Sequence, residues 1–134
     1  MLFDDLTKYI PQLENGDTFA VVVKEETKPG VTVIPTLEYT LLAKDIIKAF
    51  YNITESCEKY STKVLLEFYD SSPFAETAFS KVDIDQLDLK SIMSLIAAVL
   101  HSEHWDNGTL HSFYYSGQLI KCLKRIDQLK EVND

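Results

Sequence analysis

A chain of 134 residues with a net charge of -8, 46% hydrophobic and 25% charged, has the size of one domain, 1–134, and can bury a core without disulfides. The acidic balance excludes a general affinity for phosphate backbones, which need clustered Lys and Arg. Cys57 and Cys122 form no CxxC pair, the start MLFDDLTKYI lacks the positive charge of a signal peptide, and the apolar run Ile92 to Leu100 is too short to span a bilayer, so a cytoplasmic protein with reduced thiols and no membrane contact is expected.

Residues 2–10 read as a short helix with Leu2, Leu6, Tyr9 and Ile10 on one side, ended by Pro11. Residues 18–25, TFAVVVKE, are β-branched and aromatic and predict a strand. Lys28-Pro29-Gly30 is a turn signal, and residues 31–34, VTVI, predict the returning strand, which Pro35 stops or places on an edge. A hairpin of two strands is marginal alone, so helices must cover one face of it.

From Tyr39 the spacing becomes helical, with Leu42, Ile46, Ile47, Phe50 and Tyr51 as an apolar stripe up to about residue 53. A second helical piece, 59–69, carries Tyr60, Val64 and Phe68, and the stretch 70–84 reads as a loop broken at Ser71-Ser72-Pro73. The clearest helix is 88–104, capped by Asp85 or Asp88, with Leu89, Ile92, Met93, Ile96, Val99 and Leu100 on the helical period and Asp106-Asn107-Gly108 at its end. A short helix over 109–116 closes at Gly117 in the manner of a left-handed cap, and a last helix over 118–131 has Leu119, Ile120, Leu123, Ile126 and Leu129 as its core face. The expected fold is α+β and mostly helical: an N-terminal helix and β-hairpin (residues 1–38) packed on a C-terminal three-helix bundle within the helical part (residues 39–134).

The order of several short motifs resembles a family of small bacterial proteins, mainly from anaerobic Gram-positive species, classified as a domain of unknown function. Tyr9-Ile10-Pro11-Gln12-Leu13-Glu14 resembles its opening helix, and Pro35 with Tyr39 its Pro-x-x-x-Tyr lead into the first long helix. Leu87-Asp88, Leu95-Ile96, Glu103, Gly108 and Leu110 resemble its central helix and turn. Gly117, Leu119-Ile120, Leu123-Lys124-Arg125 and Asp127 resemble its closing Gly-x-[LI]-x-x-x-[LI]-[KR]-R motif. The resemblance implies a common fold and no particular activity. Where the family reads Arg-Ala-Glu-Arg-Phe before the turn, this chain reads His101-Ser102-Glu103-His104-Trp105.

The stretch HSEHWDNGTLH, residues 101–111, holds all three histidines and the only tryptophan. His101 and His104 share a helix face, and His111 with Glu103 or Asp106 would complete a tetrahedral zinc shell. There is no HExxH, however, and the resembling family carries arginine at two of these positions, which does not normally ligate zinc. The expectation is therefore no metal. His101, Glu103, His104 and His111 instead make an ion network or partner site at the polar end of the helix. Trp105 plugs inward beneath the last helix, and Gly108 supplies the positive φ of the reversal.

No GxSxG elbow or glycine-rich phosphate loop occurs, so no catalytic residue and no cofactor are expected. The segment 109–128 resembles a helix-turn-helix in outline, with Lys121, Lys124 and Arg125 as a nucleic-acid face, but Phe113 stands where that motif needs a small residue. Phe113-Tyr114-Tyr115 cannot all face inward, so at least one reaches the surface. The expected function is a non-enzymatic domain acting by contact with a protein partner or a second copy of itself. A DNA-binding regulator using the C-terminal segment, and a small metal-binding protein using the histidines, are the alternatives.

Overall fold

The computed structural model of the chain describes residues 2–23, 30 and 36–133, with side chains through residue 130. Two short helices open the chain, α1 (Asp4–Thr7) and α2 (Ile10–Glu14). Pro11 does not end a helix over 2–10; it sits in the first turn of α2. Its missing N–H is harmless there, because first-turn amides have no intrahelical acceptor.

Strands β1 (Ala20–Val23) and β2 (Thr36–Tyr39) pair antiparallel, with Ala20 opposite Tyr39 and Val23 opposite Thr36. The strand expected over 31–34 lies outside the described residues. Among the described residues the partner of β1 begins at Thr36. Tyr39 belongs to this strand, so the first long helix, α3 (Leu41–Ser56), starts two residues after the change in sequence period. A turn of 3-10 helix at Glu58–Tyr60 leads into α4 (Thr62–Asp70), whose first turn is capped by Ser61.

The stretch expected as loop, 70–84, contains one 3-10 turn, Phe79–Lys81, and a second, Ile84–Gln86, begins at its last residue. Gln118 stitches it to the last helix: its buried side-chain amide donates to the carbonyls of Phe79 (3.0 Å) and Val82 (2.8 Å). Helix α5 (Leu89–Glu103) begins at Asp88, whose carboxylate accepts from the Ser91 amide at 2.9 Å. Every residue from Ile92 to Leu100 is buried, so α5 is covered on all sides and not along a stripe alone. Its covering is α4 together with α6 (Thr109–Tyr115) and α7 (Gln118–Asn133). Ser94, inside this apolar shell, donates to the Ser91 carbonyl at 2.7 Å and leaves no polar atom unpaired.

The result is the expected mostly helical α+β architecture, in which a two-stranded antiparallel hairpin meets α3 and is tied to the end of α5 and to α6. The hairpin is held by aromatic packing: Phe19, fully buried, stacks on Tyr114 of α6 at 4.3 Å and meets Tyr39 edge-on. At the far end of the molecule Lys130 of α7 contacts Asp4 at 2.7 Å and Thr7 at 3.2 Å, while also pairing with Asp127 one turn earlier. The two Asp contacts hold the Lys130 ammonium above its ordinary pKa.

Candidate functional site

The reversal between α5 and α6 is the most densely bonded part of the surface. Glu103, the last residue of α5, turns its carboxylate onto the start of α6. It accepts from the amide of Gly108 at 2.9 Å and from that of Leu110 at 3.0 Å, and it takes a short hydrogen bond from the Tyr39 hydroxyl. The Tyr39 oxygen in turn accepts from the His111 amide at 3.1 Å. The orphan N–H groups of α6 are thus satisfied by a carboxylate from the preceding helix and a phenol from the hairpin, with negative charge at the positive end of the helix dipole. Burial, and then the bond to Glu103, push the Tyr39 pKa upward, so its hydroxyl remains a donor throughout the ordinary pH range.

Asn107 fixes the hairpin to the same turn. Its side-chain oxygen accepts from the Leu37 amide at 2.9 Å and its amide nitrogen donates to the Leu37 carbonyl at 3.3 Å. A side-chain amide thereby imitates a short piece of strand against the outer edge of β2. Gly108 follows at φ +101°, and a Cβ on it would stand 3.0 Å from the Leu37 side chain. The positive φ favours glycine, and a Cβ there would also have to push the Leu37 methyl aside.

The histidines are placed differently from the expected ion network. Neither His101 nor His104 contacts Glu103, whose oxygens are engaged by Tyr39 and backbone amides; both rings are solvent-exposed. His111 is half-buried and lies 6.1 Å from the Tyr115 ring at 27°. Among the described residues no group of three or more His, Cys, Asp or Glu is arranged to hold a metal ion.

Trp105 is not an inward plug: it is 84% exposed. It stands five residues beyond Leu100, the last buried residue of α5, and the helix has already ended at Glu103. Tyr115 is 82% and Leu41 73% exposed, and Val21 and Val22 of β1 are exposed as well. Of the aromatic run, Phe113 is buried, Tyr114 is half-buried against Phe19, and Tyr115 faces solvent. A cleft of about 420 Å³ opens beside the turn, lined by Leu37, Phe79, Ser80, Asn107, Thr109 and Phe113.

On α7, Lys121 is exposed, but Lys124 pairs with Glu14 at 2.8 Å and Arg125 donates to the Leu87 carbonyl at 3.2 Å. Gly117 turns the chain between α6 and α7 at φ +86°. Sequence reasoning placed Glu103 and Gly108 in the site but missed Tyr39 and Asn107. Asn107 had a local signal in the Asn-Gly pair, while Tyr39 stands 64 residues from its acceptor and was marked only by the Pro-x-x-x-Tyr resemblance, which does not name its partner.

Among the described residues no helix is long and apolar enough to cross a membrane. No curated protein and no solved structure gives a significant match to the chain. Residues 2–132 match the model of a family of unknown function (DUF6508), and the chain belongs to that family.

Proposed function

We propose that this family member is a bacterial cytoplasmic protein, folded as one domain, that acts by binding another protein and not by catalysis. The exposure of Trp105 carries the reading. A tryptophan in water forgoes a large burial gain, and exposed tryptophan and tyrosine are characteristic anchors of protein interfaces. Its backbone belongs to a turn fixed by Glu103, Asn107 and Tyr39, so the ring is displayed from a prepared framework. Of the other exposed large apolar residues, Val21, Val22 and Tyr115 occupy the hairpin and the end of α6, elements bonded to that turn, and Leu41 begins the helix that follows the hairpin. The basic residues of α7 lend less support to a nucleic-acid face, since Lys124 and Arg125 are engaged within the chain.

The test is site-specific photo-cross-linking in the native host, with a benzophenone side chain at position 105 or, as a control, at position 121. A discrete adduct from position 105, lost on Tyr115→Ala or Leu41→Asp, is the expected result. Absence of any adduct from position 105, together with salt-sensitive DNA binding lost on Lys121→Glu, would replace this reading with the nucleic-acid one.

A further inference from the structure

The two edges of the hairpin are unequal. Thr40 donates to the Phe19 carbonyl, so the pair Phe19–Thr40 is bonded across the ladder. Antiparallel pairs alternate, so the pairs Ala20–Tyr39 and Val22–Leu37 turn their backbone groups outward. The capture of both Leu37 groups by Asn107 agrees with that parity. On β2 the outward groups of Leu37 are therefore occupied. On β1 the outward N–H and C=O of Ala20 and Val22 have no hydrogen bond among the described residues, and Val22 is 62% exposed.

We infer that the outer edge of β1 is a strand-pairing site whose occupant is β1 of a second copy of this chain, an inference that rests on the contact reading above. Residues 19–23, Phe-Ala-Val-Val-Val, contain no charge and no proline, the devices that normally guard an open edge. The edge is also its own complement. A two-fold axis at Val21 sets Ala20 opposite the second copy's Val22 and Val22 opposite the second copy's Ala20, so both outward pairs find donors and acceptors in register. The axis brings Val21 against Val21, with no like charges opposed within the strand in an otherwise acidic protein. Four residues bury far less than the roughly 1,200 Å² of a stable interface, so the dimer is weak and dependent on concentration.

Sedimentation equilibrium from about 10 μM to about 1 mM tests this. The weight-average mass should rise from 15.3 kDa toward twice that value. Val22→Pro should remain at the monomer mass with an unchanged circular dichroism spectrum, because the N–H it removes points outward and takes no part in the β1–β2 ladder. Amide exchange in the wild type gives a second readout that needs no variant. Ala20 and Val22 should become protected as concentration rises, while Val21, bonded to β2, is protected throughout. A wild type that stays monomeric at about 1 mM, or protection of Ala20 and Val22 that ignores concentration, overturns the inference. A dimer that survives Val22→Pro but is lost on Trp105→Ala also overturns it while leaving the contact reading intact. A β1-paired dimer with no adduct from position 105 keeps the inference and rejects the Trp105 surface.

Discussion

Glu103→Ala should destabilise the protein by about 2–3 kcal/mol. The substitution removes the acceptor for two amides of α6, Gly108 and Leu110, and for the Tyr39 hydroxyl. Loss of a helix cap alone costs about 1 kcal/mol, and a hydrogen bond to a charged group contributes about 1.5–3 kcal/mol. The full sum for three bonds overshoots, because the site is only half-buried and water can reach the freed amides. Urea unfolding followed by circular dichroism reads the effect. With a slope of about 1–3 kcal/mol/M, the midpoint should fall by about 0.7–3 M. Glu103→Gln keeps one acceptor oxygen and should lose about half as much. Tyr39→Phe should cost about 1 kcal/mol, and the double variant should be less unstable than the sum, since both residues serve one network. A change below about 0.5 kcal/mol in Glu103→Ala would refute the assignment of the carboxylate as the cap of α6.

Trp105→Ala should alter stability by less than about 0.5 kcal/mol, against the 3–5 kcal/mol typical of a buried tryptophan, and acrylamide should quench the wild-type fluorescence efficiently. Asn107→Ala frees both backbone groups of Leu37 and should cost about 1–2 kcal/mol, with accelerated exchange at the Leu37 amide as its local signature. The bonds to Ser91 hold the Asp88 carboxyl below its ordinary pKa of 3.8, so its contribution is present above that value and is lost as pH falls through the lower folded one. Asp88→Asn should therefore flatten the acid limb of the stability profile measured between pH 5 and pH 2 by urea titration. Burial pushes the Cys122 thiol far up, so a disulfide reagent at pH 8 should label Cys57 alone in the native protein and both cysteines in urea.

Helix α5 was legible from residue spacing because its apolar positions and its Asp88 cap are local features of one segment. The second strand was less legible. The spacing reads as helical from Tyr39, yet Thr36–Tyr39 pairs with β1, and Leu37 and Tyr39 of that strand are held by bonds to a turn some 64 to 70 residues away, which no local pattern announces. The histidine cluster drew attention by composition, while the bonding was done by its neighbours. Glu103 lies among the histidines but caps a helix that begins six residues later, a contact made possible only by the left-handed turn at Gly108. Trp105 shows the reverse failure: its type suggests burial, but its position beyond the last buried turn of α5 decides otherwise.

The Lys130 contacts to Asp4 and Thr7 join residues 126 and 123 positions apart, nearly the whole length of the chain. Closing so long a loop costs entropy that grows only with the logarithm of its length, so the clasp is affordable once α7 has docked and has little to hold before then. The short α1, of four residues, cannot sustain itself as an isolated helix. Its persistence therefore depends on the helices it packs against, α7 and α3, and loosening of α7 should release α1 with it. A nick in an exposed loop that left this clasp intact would change the connectivity of the molecule more than its packing.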